Sequence, residues 1–74
     1  MSDLSPTRQA ELIQAQIVEW REVAFQAEIA HRVHSRIGTP PHELQAFIER
    51  MTRAERAIAE LEHILHELPS EPSA

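Results

Sequence analysis

The sequence predicts an all-α protein, an antiparallel two-helix hairpin, and three observations predict it. Apolar residues recur with helical periods on either side of residue 38, and the single glycine of the 74-residue chain stands at that position. Prolines stand where helices start or stop, at residues 6, 40, 41 and 69. A hairpin has one internal seam, so apolar surface beyond it is expected to assemble into a four-helix bundle or to pack on a partner's helices.

Residues 1–5 form a lead into the first helix. Ser5 suits the N-cap, and Pro6 suits the first helical position, where its missing N–H costs nothing. The first helix is therefore expected from about residue 6 to 37, closed by Gly38 in a left-handed conformation. Thr39 followed by Pro40 repeats the start signal, which places a turn at about 38–40 and a second helix at about 40–68, stopped by Pro69. So short a turn makes the helices antiparallel neighbours. Residues 69–74, PSEPSA, are small, polar and broken by proline, and read as a disordered tail.

The second helix has the clearer pattern. Leu44, Met51, Ile58 and Leu65 fall seven apart, as do Phe47, Ala54, Leu61 and Leu68, which begin three residues later. This a/d seam specifies coiled-coil packing against another helix. The small Ala54 would there permit a close approach of the helices or accept a bulky residue from opposite, Trp20 or Phe25.

The first helix has two apolar stripes. At about 100° per residue, Ile13, Ile17, Trp20, Ala24 and Ala27 make one, flanked by Leu12, Val23 and Ala30. Val18, Phe25 and Ile29 make another, roughly 140° away. The second helix can cover only one of them. Val18, Phe25 and Ile29, with Trp20, are therefore the candidate partner interface, since contiguous apolar surface on a small protein marks an interaction site. The partner is expected to be another copy, giving a homodimer, or another helical protein.

Composition narrows the function classes. A chain this short buries only about 60% of its unfolded surface and is marginal alone. There is no cysteine, the start MSDLSPTRQAEL shows neither a basic flank nor an apolar run, and no stretch approaches the roughly 20 apolar residues of a membrane span. A cytoplasmic protein without a membrane anchor is the expectation. The formal charge of −5 argues against general affinity for nucleic acid. Charge is unevenly placed, however: residues 29–56 carry five Arg against three Glu, and the remainder carries two Arg against nine acids. Arg32, Arg36, Arg50 and Arg53 near the turn are the candidate anion-facing residues, and a nucleic-acid-associated regulator is the alternative reading they support.

Two Glu-x-x-His pairs, Glu28 with His31 and Glu60 with His63, have the spacing of di-metal helical bundles. On the wheel of the second helix, Glu60 and His63 point away from the seam, towards water. His31 continues the inner stripe of the first helix, yet Glu28 is the one carboxylate beside it, and Glu28 has an ordinary use as the i, i+4 partner of Arg32. No metal and no cofactor is expected. Catalysis is not expected either: the chain lacks cysteine, its serines lie at the ends or beside the turn, and one glycine cannot make a phosphate-cradling loop.

In outline, over most of its length, the chain resembles three kinds of protein: dimeric hairpins that bind RNA loops, hairpin co-chaperones of type III secretion needle proteins, and encapsulated ferritin-like hairpins that bind iron. The likeness is one of form, and no diagnostic residue carries over. The first implies nucleic-acid binding, the second cover for an apolar face of a partner, and the third a di-metal site. From the residues themselves, the expectation is a non-enzymatic protein–protein interaction module: an assembly factor, adaptor, co-chaperone-like protein or small regulatory subunit.

Overall fold

The computed structural model describes residues 3–69, and the chain is an all-α hairpin of two helices, α1 (Pro6–Arg36) and α2 (Pro41–Glu67). The predicted tail beyond residue 69 lies outside the described residues. Four residues join the helices, too few for anything but a direct reversal.

Helix α1 starts where its capping chemistry is complete. The Ser5 hydroxyl accepts from the Arg8 amide at 3.2 Å, and Pro6 takes the first helical position. The Gln9 side chain donates to the Leu4 carbonyl at 2.7 Å, tying the lead to the first turn. At the far end Gly38 has φ +84°, and the Thr39 amide reaches back to the His34 carbonyl at 3.0 Å, the six-residue closure of a Schellman motif. Nothing lies within 4 Å of where a Gly38 side chain would begin, so only backbone strain opposes substitution there. Gly38→Ala should cost about 1 kcal/mol, the penalty of a left-handed alanine, and Gly38→Asn clearly less; a thermal melt of the three proteins checks the order.

Helix α2 starts one residue later than the Thr39-Pro40 signal suggests. Pro41 occupies its first position, and the residue before a proline is pushed out of the helical region. Pro40 is accordingly extended, with ψ 145°, and becomes an N-cap that has no side-chain acceptor. Its carbonyl instead receives the Glu43 and Leu44 amides at 3.0 and 3.2 Å. The Thr39 hydroxyl, released from capping, lies 3.0 Å from His34 Nδ1. Glu43 in the first turn of α2 and Arg36 in the last turn of α1 carry charge of the sign the helix dipoles favour.

The seven seam positions within α2, and Leu68 just after it, are buried or half-buried; Ala57 is the one other α2 residue that is not exposed. On α1, Ile13, Ile17, Trp20, Ala24 and Ala27 are likewise covered, so the inner stripe meets the seam. The resulting core is thin. Among the described residues only Ile17 (5% exposed), Ala27 (1%) and Ala54 (0%) are buried, and two of these three are alanines.

The shape follows. The hairpin measures 59 × 17 × 15 Å with a radius of gyration of 17.0 Å, whereas a compact chain of this length has about 11 Å. Its accessible surface is 5979 Å², against about 4,700 Å² for a compact monomer of the same mass. This hairpin covers one side of each helix and little more.

Candidate interaction face

The second stripe of α1 lies on the side of that helix away from α2. Val18 is 51% exposed, Phe25 60% and Ile29 45%, and the line continues through Val33 (50%) to Ile37 (70%) at the turn. Successive members from Phe25 onward are four residues apart, the spacing that stacks side chains along one helix face. Phe25 therefore points away from Ala54 and does not fill the space opposite it. Trp20 is half-buried and belongs to the inner stripe, on the hairpin side of α1.

Val33 and Ile37 were not among the residues that the sequence pattern singled out. Their signal was present, since each follows Ile29 by a further step of four. An ideal helix drifts about 40° over such a step, which carries them off the narrow line drawn through Val18, Phe25 and Ile29.

Val18 also borders a groove between the helices, shared with Gln14, Ile17 and Arg21 of α1 and with Glu62 and Leu65 of α2. Val18 thus joins the outer face of α1 to a cleft beside α2 that is lined by both apolar and polar side chains. A second groove between the helices lies at the end away from the turn, lined by Pro6, Thr7 and Ala10 with Leu65, Leu68 and Pro69; that of Gln45, Ile48, Thr52 and Arg56 is lined by one helix alone and is a dip between neighbouring side chains. Among the described residues, the grooves lined by α1 and α2 are open and shallow, unlike the enclosed apolar pockets that hold small ligands. A long, shallow, apolar strip fits another helix.

The four arginines near the turn divide into two groups. Arg32 and Arg36 border a groove on α1 with Glu28, His31 and Ser35. Arg50 and Arg53 border another on α2 with Ala46 and Glu49. All four are exposed, and each group includes a glutamate that offsets its charge.

Among the described residues, no group of three or more His, Asp or Glu side chains is placed to hold a metal ion. Glu60 and His63 face solvent, and His63 Nε2 pairs with Glu67 Oε1 at 2.6 Å. His31 is half-buried and Glu28 exposed. The ion pairs found among the described residues are that one and Arg8 with Glu11 at 3.0 Å; Glu28 and Arg32 do not pair, consistent with how little an exposed pair gains over the entropy of holding it. The histidine with a defined contact inside the hairpin is His34, whose ring stacks on Phe47 with centroids 4.9 Å apart. Together with Thr39, it pins the turn to the start of α2.

No helix among the described residues is long and apolar enough to cross a membrane. In comparisons with known proteins, no family model, curated protein or solved structure matches this chain.

Proposed function

We propose that this protein is a non-enzymatic interaction module, an adaptor or assembly factor that presents the outer face of α1 to another helix. The observation that carries the reading is the stripe of Val18, Phe25 and Ile29, with Val33 on its flank, each about half exposed or more, on the side of α1 that α2 leaves open. A soluble chain has no folding reason to set four large apolar residues in register on a solvated face. Apolar strips of that kind mark sites where another surface lands. The thin core supports the same reading, because a hairpin with three buried residues among those described gains from any partner that covers more of it. The absence of cysteine fits action in a reducing compartment.

A photo-reactive benzoylphenylalanine in place of Phe25, expressed in the native cell, tests this directly. Irradiation should join residue 25 to another polypeptide chain, while the same group at Glu60, on the solvated side of α2, should give no adduct. Equal yields at the two positions, or none at Phe25, would remove the case for a docking face on α1.

A further inference from the structure

We infer that the occupant of the α1 face is a second copy of this chain, laid antiparallel so that the outer face of one α1 packs on that of the other. The inference rests on the docking reading above and adds the partner, its direction and its register.

Area argues for a partner of this size. A compact particle of about 17 kDa exposes about 7,700 Å², whereas two separate hairpins expose twice 5979 Å². Each hairpin thus carries about 2,100 Å² more surface than its share of a compact pair, so it has surface to spare for a partner of its own size. A face running along a helix of 31 residues, about 46 Å long, supplies an interface of that length when met by a helix of the same length.

Charge sets the direction. At about 100° per residue, Glu11, Val18, Phe25, Ile29 and Arg36 fall within about 20° of one line along α1. The line begins with an acid, runs through the apolar stretch and ends with a base. Two copies in parallel would set Glu11 against Glu11 and Arg36 against Arg36. Reversed, each Glu11 meets an Arg36, and Val18 meets Ile29. Glu11 already pairs with Arg8, but both side chains are 57% exposed, and so exposed a pair is weak enough to exchange.

Register follows from the flanks. In an antiparallel pair, residues on the same flank of the line meet across the axis. Arg21 and Glu28 share one flank, and Ala15 and Val33 share the other. The midpoints of Glu11 with Arg36, Arg21 with Glu28, and Ala15 with Val33 all fall between residues 23 and 25. Two acid–arginine pairs and one apolar pair therefore select one position for the two-fold axis, at the level of Ala24 and beside the exposed Phe25.

The chain has no cysteine, so single-cysteine variants report contacts between copies alone. Ala15→Cys and Val33→Cys, both at exposed positions, are mixed in equal amounts and treated with a short bismaleimide. The mixture should give a linked dimer of about 17 kDa, twice 8.5 kDa. Either variant alone should not, because its two thiols would sit about 27 Å apart along the paired helices. Linking of Val33→Cys to itself would mean a parallel or differently registered pair and would overturn the inference. In sedimentation equilibrium, Glu11→Arg should weaken the dimer by roughly tenfold, and adding Arg36→Glu should restore it. A wild-type chain that stays monomeric at micromolar concentration would overturn the inference too. The Phe25 photo-adduct separates this failure from that of the docking reading. An adduct with a different protein alone leaves docking intact and removes the second copy, and no adduct at Phe25 removes both.

Discussion

Ala54→Glu should leave the chain largely unfolded, whereas Ala59→Glu should melt within about 0.5 kcal/mol of the parent. Both changes make the same substitution on the same helix, five residues apart, so helix propensity and net charge change alike. The difference lies in what surrounds each side chain. Ala54 is 0% exposed, at the middle of the seam where α1 approaches α2, while Ala59 faces water. A carboxylate forced into the first position loses its hydration without a built partner, which costs several kcal/mol. A chain this small rarely holds more than about 3 to 5 kcal/mol in total. Far-ultraviolet circular dichroism at 25 °C, followed by a thermal melt, measures the outcome. Similar melts for the two variants would mean that Ala54 is not the point of closest helix approach.

Much of this fold is legible because helices announce themselves locally. The N-cap at Ser5, the proline after it and the positive φ of Gly38 each depend on one or two residues, and the chemistry of those residues admits few alternatives. The α2 seam is legible for another reason: its period holds from Leu44 to Leu68 without a break, so small errors in angle do not accumulate. Thr39 is a place where two local rules compete. It has the side chain of an N-cap, but tandem prolines decide the matter, because Pro41 holds Pro40 extended and moves the cap onto it.

What the sequence could not convey is the thinness of the core. Eight apolar seam residues suggest a well-filled interior, yet seven of the eight keep contact with solvent, since two rods touch along a line and not over a surface. The same geometry explains why His34 was passed over. Its contact with Phe47 and with Thr39 depends on where the turn brings α2 back, which no pattern within α1 encodes. For the candidate face, residues Val18, Phe25 and Ile29 follow from periodicity, and its extension to Val33 and Ile37 follows from the exposure of each in the folded hairpin.

Leu61→Ala is expected to cost about 2 kcal/mol or somewhat more, towards the lower end of the range for leucine deletions. Leu61 occupies the seam but is half-buried, so the methyl groups removed are only partly withdrawn from water. In so small a domain a loss of that size lowers the melting temperature by about 8 to 16 °C, at 4 to 8 °C per kcal/mol. His63→Ala provides the control two residues away. It removes the His63–Glu67 pair, whose side chains are 66% and 63% exposed, and the loss should stay within about 0.5 kcal/mol. Chemical denaturation of the three proteins at equal concentration measures both differences, and equal effects would mean that α2 presents the other face to α1. The measurement also bears on assembly. If a second copy completes the core, the parent midpoint rises with protein concentration, because folding and association are then linked. Leu61→Ala keeps that dependence, since it loosens the hairpin and leaves the α1 face intact. Phe25→Ala abolishes it, since it removes the side chain nearest the axis on which the two copies would meet.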